Sequence, residues 1–377
     1  MTVPFYRHGL DDTHAQAAAE VIRTPHLTYG NVAKRVEARI GTVFGGAQCA
    51  LTSSWSTAAF ATFKALGIGP GDEVIVPAMT FVATANIPLL CGARVRLVDA
   101  EPDTLLLDAA QVEEAINPRT KAIFCVHLYG QMCDMLALRQ LADRHGLYLI
   151  EDCAHAFESA REDVQPAALS DAALFSFYAT KNLTCGEGGA VVTRHGALFE
   201  KISRFRAHGM SASASDRFKN QYYQHWDVEE PGMKGSLPDI LAALLEPQID
   251  TCLDRLELRA QRAQHYRKAL ENLPIRLPVV AANARHAEHL FPIWVAPQIR
   301  DKVIAHINTL GIGCTVNYRA LTQLSLFAAD AFQAPVAEEW GSGTLSLPLY
   351  PDLPFSAIDD VVDALKSALA CCENAAA

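Results

Sequence analysis

The sequence has no C-x-x-C pair, and its ten cysteines, scattered from Cys49 to Cys372, have no histidine-rich partner tract at zinc spacing. Zinc ribbons and disulfide-stapled mini-folds are thereby disfavoured. It has no basic excess either: Lys and Arg number 32 against 42 Asp and Glu, a net charge of -10. Non-specific nucleic-acid binding needs the opposite balance. No apolar run reaches the about 18 residues that would cross a bilayer, and the opening MTVPFYRHGLDD lacks the apolar core of a secretory signal. No metal site is expected, and unpaired thiols fit a reducing, cytoplasmic setting. No G-x-G-x-x-G follows the first strand, which disfavours a doubly wound dehydrogenase.

The 377 residues leave room for roughly two domains of about 150 residues each, and at 50% hydrophobic and 20% charged the chain can bury a whole sheet. Short apolar runs alternate with amphipathic segments through the first two thirds. Helices are predicted over Ser56 to Leu66, Thr80 to Cys91, Gln111 to Ile116 and Leu136 to His145. Between them lie apolar strands at Val74 to Val76, Val95 to Val98, Ala122 to His127 and Leu147 to Ile150. This βαβα rhythm requires a parallel sheet covered by helices on both faces, with ligands at the carboxyl ends of strands. The rhythm changes near residue 250. A helical stretch from Gln248 to Arg267 precedes a new alternation, with strands at His289 to Val295 and Cys314 to Tyr318 and helices at Arg300 to Leu310 and Ser356 to Ala370. A large domain over 1–250 and a smaller one over 251–377 are expected.

Three segments carry chemistry. LYLIEDCAHA, Leu147 to Ala156, puts Glu151 and Asp152 at a strand end, where acids also serve simply as caps. FSFYATKNLTCGEGG, Phe175 to Gly189, places Lys181 past a strand reaching Ala179 and before a glycine-rich turn. A lysine between buried strands is partly desolvated, which lowers its pKa and makes its amine nucleophilic. TSSWSTAAF, Thr52 to Phe60, opens a helix with small hydroxyl residues, and free amides at a helix start bind phosphate. A phosphate cradle, a carboxylate and a lysine are together what pyridoxal 5'-phosphate needs. The lysine holds its aldehyde as a Schiff base, and the carboxylate keeps its ring nitrogen protonated.

The same residues resemble the sugar-nucleotide aminotransferases of the DegT type, which have the aspartate aminotransferase fold, fold type I of the pyridoxal phosphate enzymes. GDEVIVPAMTFVATAN at Gly71, TKAIFCVHLYG, IEDCAHA, FSFYATKNLTCGEGGAVVT, RAHGM and LSLPLYPDL at Leu345 carry the likeness along nearly the whole chain. It implies an α/β fold with a mostly parallel, seven-stranded central sheet flanked by helices and a smaller α+β C-terminal domain. It also implies that Lys181 is the cofactor lysine and proton carrier, that Asp152 pairs with the pyridine nitrogen, and that His155 lies near the phenolic oxygen. Phe81 would stack on the ring, while Ser176 and the amides and hydroxyl at Trp55 and Ser56 would hold the phosphate. An amino donor, L-glutamate by resemblance, would load nitrogen onto the cofactor, and a keto-sugar nucleotide would accept it. A ketocyclitol acceptor and a non-catalytic sensor of the same fold are the alternatives.

Departures from the family pattern fall in three places. FESAREDVQPAALSD, Phe157 to Asp171, lacks the usual glycines, so this loop takes its own path. Ser236 stands where relatives have an asparagine that reaches the phosphate of the partner subunit in a homodimer. VNYRAL at Val316 has Asn317 where relatives have histidine, and Lys234, Asn317, Tyr318 and Arg319 are candidate contacts for the acceptor's diphosphate.

Overall fold

The structure, a computed structural model, describes residues 2–210, 225, 227–327 and 332–374. Two helices, α1 (Asp12–Ile22) and α2 (Asn31–Val43), precede strand β1 (Gln48–Thr52). The alternation then runs α3 (Trp55–Ala65), β2 (Glu73–Pro77), α4 (Ala83–Leu90), β3 (Arg94–Val98), α5 (Ala109–Ala115), β4 (Thr120–Val126), α6 (Met135–His145), β5 (Tyr148–Asp152). The short β6 (Ala160–Arg161), then β7 (Ala172–Ser176), β8 (Gly189–Thr193) and α7 (Gly196–Phe205) follow. Beyond them come α8 (Asp239–Leu270), β9 (Ala284–Arg285), β10 (Phe291–Trp294), α9 (Pro297–Thr309), α10 (Pro335–Gly343), β11 (Thr344–Leu347) and α11 (Phe355–Asn374). Among the described residues no helix is long and apolar enough to cross a membrane.

Seven strands form one sheet in the order β1-β8-β7-β5-β4-β2-β3. All neighbouring pairs are parallel except those of β8, which runs antiparallel to both β1 and β7. The expected mostly parallel sheet is therefore present, and its apolar runs have the expected cause: β2 and β8 are buried at every position. Local signals set the helix ends. The Ser54 hydroxyl accepts from the Thr57 amide at the start of α3, Asp134 does the same for α6, and Gly146 closes α6 in the left-handed conformation at φ 63°. Across the chain, Asp239 at the start of α8 accepts from the amides of Gly30 and Ala33, tying α8 to α2.

Two predicted strands end differently. The one expected to reach Ala179 stops at Ser176 because the chain turns there, with the Lys181 amide donating to the Tyr178 carbonyl at 2.9 Å. Cys314 to Tyr318 forms no regular strand and makes a single bridge, Thr315 to Ser346, on the edge of β11 opposite β10. The predicted helix from Thr80 begins three residues later, at Ala83.

The order of the sheet positions the site. The ends of β1, β2, β4, β5 and β7 that lead into Ser53, Ala78, His127, Cys153 and Phe177 lie on one side, and β8 starts from that same side. Asp152 is the last residue of β5, and Lys181 follows β7 by five positions.

Candidate active site

These strand ends line a cavity of about 550 Å³. Ser54, Trp55 and Ser56 enter it from the start of α3, Phe81 from the β2–α4 connection, Asp152 and His155 from the end of β5, and Ser176 and Lys181 from the β7 side. His289, Asn317 and Tyr318 close it from the C-terminal third, and Phe5 and Tyr6 from the N-terminal arm. The arm reaches this place because Val3 bridges Ile312 and the Gly9 carbonyl accepts from Arg255.

Asp152 is buried, and both its oxygens are held: Oδ2 accepts from the Thr84 hydroxyl at 2.9 Å, and Oδ1 from the Ala154 amide at 3.0 Å. Burial raises its pKa, while these two donors and the charge of Lys181 act against that rise. A cationic ring nitrogen placed against it would complete the pair. Lys181 is shifted the other way: burial lowers its amine to about 8, against the pull of Asp152.

His155 accepts the Tyr129 amide at Nδ1 (3.2 Å), so its proton sits on Nε2, 3.2 Å from the Tyr318 hydroxyl. Since that hydroxyl accepts from His155, its own proton is left for a ligand. Burial keeps His155 neutral and raises the Tyr318 phenol, so neither ionises near neutrality. Phe81 is 55% exposed at the mouth, its ring 5.6 Å from that of Tyr318.

The start of α3 has the features of an anion site. The amides of its first turn have no partner within the helix, and the dipole adds positive potential. Ser54 spends its hydroxyl on the cap, which leaves the exposed Ser56 hydroxyl free to reach a ligand. Gly189 at the start of β8 makes the cradle possible: a Cβ there would meet the Ser54 carbonyl at 2.5 Å and the Trp55 nitrogen at 2.6 Å. Ser176 lies beside it at the end of β7.

The profile of the DegT/DnrJ/EryC1/StrS aminotransferase family matches residues 9–366. The chain belongs to this family. Its structure is similar to that of DesV from S. venezuelae, solved in complex with a ketimine intermediate, at 33% identity and a TM-score of 0.89, covering 97% of this chain and 98% of that one. It is also similar to the aminotransferase TlmJ from Streptoalloteichus hindustanus, at 27% identity and a TM-score of 0.92, covering 99% of this chain and 100% of that one. PseC from Helicobacter pylori, an aminotransferase involved in pseudoaminic acid biosynthesis, shares the fold at 24% identity and a TM-score of 0.90, covering 98% of this chain and 99% of that one.

This member of the DegT family is a pyridoxal phosphate-dependent aminotransferase, and the residues present fit the cofactor. A lysine, a buried carboxylate, an exposed aromatic face and a glycine-cleared helix start meet in one cavity. Not every expected residue reaches it. Ser236 bonds the Arg206 carbonyl and bridges Thr52, Lys234 is exposed, and the exposed Arg319 donates to the Gln323 carbonyl; none of the three lines the cavity. Cys153 and Cys185 are buried beside it, and burial pushes both thiols up to about 12, well away from reactivity. Thr84, His289 and the arm residues Phe5 and Tyr6 went unnoticed in the sequence. For Thr84 a signal existed: a hydroxyl one helical turn past Thr80, in a helix opening beside a strand end.

Proposed function

We propose that this enzyme moves the amino group of L-glutamate onto a keto-sugar nucleotide, working in the cytoplasm as a homodimer with shared active sites. The cavity carries this reading. Beyond Asp152 and Lys181 it continues past Tyr178, Thr315, Asn317 and Tyr318 to the mouth, leaving room for an acceptor much larger than an amino acid. Phe81 and Tyr178 are 55% and 45% exposed there, a degree of apolar exposure that a second subunit would cover.

Bound pyridoxal phosphate supplies an aldehyde that takes up the amine and a ring that accepts electrons from the substrate carbon. Lys181 would hold the cofactor through its amine and, once that amine is free, would take up and return the proton of the reacting carbon. Asp152 holds the pyridine nitrogen protonated, with Thr84 and the Ala154 amide fixing its carboxylate. The first-turn amides at Trp55 and Ser56, the Ser56 hydroxyl and Ser176 take the phosphate. Phe81 would cover the face of the ring, and His155 would stand by the phenolic oxygen. Ser236 would serve the partner's phosphate, while Asn317 and Tyr318, which line the cavity, face the acceptor's diphosphate. In the same reading the chain divides into residues 1–250 and 251–377. It is supported by α8, whose first half packs with Phe177, Leu183 and Leu237 and whose second half packs with Phe291, Val303 and Val361.

The test is a screen of UDP-, dTDP- and GDP-linked 3-keto and 4-keto sugars with L-glutamate as donor. Formation of an amino-sugar nucleotide with release of 2-oxoglutarate is expected. Turnover of ketocyclitols alone would move the acceptor class. Binding of cofactor with no exchange toward any amino donor would support the sensor reading instead.

A further inference from the structure

His289 is 6% exposed and lines the cavity, yet the family resemblance assigns it no part. Its protonation pattern follows from a chain of partners that starts far away. On α8, the Arg259 guanidinium donates to Glu158 Oε1 at 2.7 Å, with both side chains buried. Glu158 Oε2 and the Ala287 carbonyl each accept from Asn182 Nδ2 at 3.1 Å. Both amide protons of Asn182 are therefore used, and its Oδ1 is turned to His289 Nδ1 at 3.0 Å. An amide oxygen can only accept, so Nδ1 carries the proton. Burial holds the ring neutral, with the charges of Lys181, Arg259 and His286 acting in the same direction. Nε2 is then a lone-pair acceptor, and among the described residues it has no hydrogen-bond partner.

Two imidazoles of opposite tautomer thus lie side by side, ring centroids 4.4 Å apart and planes inclined by 34°, His155 with its proton on Nε2 and His289 with its proton on Nδ1. Asn182 directly follows Lys181, so the group that sets the tautomer of His289 also anchors the backbone of the lysine.

We propose that His289 is a positioning residue for Lys181: its Nε2 accepts a hydrogen bond from the lysine amine whenever that amine is free of the cofactor, aiming it back at the reacting carbon. The proposal rests on Lys181 being the cofactor lysine. Asp152 and His155 interact electrostatically with this amine, and Tyr178, Glu187 and Tyr318 are the further titratable groups lining the cavity around it.

The test uses the cofactor-free, full-length enzyme. Spectra of protein labelled with ¹⁵N-histidine should show His289 as the Nδ1–H tautomer. The pH midpoint for acetylation of Lys181, read by mass spectrometry, should fall by about one unit in His289→Phe, because an acceptor favours the ammonium form. His289→Gln, which keeps an acceptor oxygen near the Nε2 position, should stay near the wild-type midpoint. An Nε2–H tautomer, an unchanged midpoint in folded His289→Phe, or a His289→Gln midpoint as low as that of His289→Phe would each overturn the proposal. Failure of the underlying assignment is separable: Lys181→Ala would then keep its covalently bound, coloured cofactor.

Discussion

Two clusters of buried histidine lie on the carboxyl side of the sheet, and they are finished differently. His127, one residue past β4, is fully enclosed. Its Nδ1 accepts the Cys133 amide at 3.2 Å, and its Nε2 faces Glu151 at 2.7 Å, while Glu151 also accepts from the Ala167 amide and the Ser170 hydroxyl. The Cys125 and Cys133 thiols come within 4.8 Å of this ring, yet both its nitrogens already have protein partners. In the cavity two valences stay open, one on Tyr318 and one on His289. Tyr318, reached through His155, keeps a proton to donate, and His289 keeps a lone pair. A buried polar group whose valences are all met within the protein stabilises the fold, whereas one with a directed valence left over awaits a ligand.

Substitutions that hit one cluster at a time can break this distinction. Lys181→Ala acts on the open side: turnover should fall by at least about 10³-fold, and the thermal midpoint of the cofactor-free protein should not drop. Parallel loss of stability would mean that the open cluster also holds the fold. Glu151→Ala acts on the closed side, stranding His127 in the core. We expect a loss of about 3–5 kcal/mol in urea unfolding, with kcat per folded molecule within about twofold of wild type; a kcat effect without a stability effect would make Glu151 part of the site. Thr84→Val sharpens the boundary between the two, because it removes one donor from Asp152 and leaves the methyl packing. A hydrogen bond to a charged group is worth about 1.5–3 kcal/mol, so a drop of roughly tenfold in kcat is the expected outcome in steady-state assays.

The sequence shows some of this arrangement and hides the rest, for physical reasons. Strands buried on both faces must be continuous apolar runs, so β2, β4 and β5 were visible, and Asp152 with them, because it stands at the very end of such a run. Lys181 was visible through its glycine-rich neighbour, where Gly189 is needed for the close approach to Ser54. His289 was not, because its significance depends on Asn182, 107 positions away, and on Glu158 and Arg259 beyond it. Nothing local marks it. Phe5 and Tyr6 are hidden for the same reason, since only the bridge from Val3 to Ile312 brings the arm to the cavity. The segment from Cys314 to Tyr318 has the alternation of a strand but meets the second edge of β11 only at Thr315.

The smallest effect concerns what the open side costs the empty protein. Burial lowers Lys181 from 10.5 to about 8 in the folded chain, so between those values the unfolded chain binds more protons and stability rises with pH. Above 10.5 the amine is neutral in both states and the penalty vanishes; as pH falls through about 8 the full penalty is present. Lys181→Met keeps most of the volume and removes the charge. At pH 7 the cofactor-free variant should therefore be more stable than wild type by about 1 kcal/mol, a figure discounted for the partial exposure of the side chain. The advantage should shrink steadily above pH 8. Urea midpoints measured from pH 7 to 10 check this directly, and an advantage independent of pH would trace the difference to packing rather than to a charge held in the site.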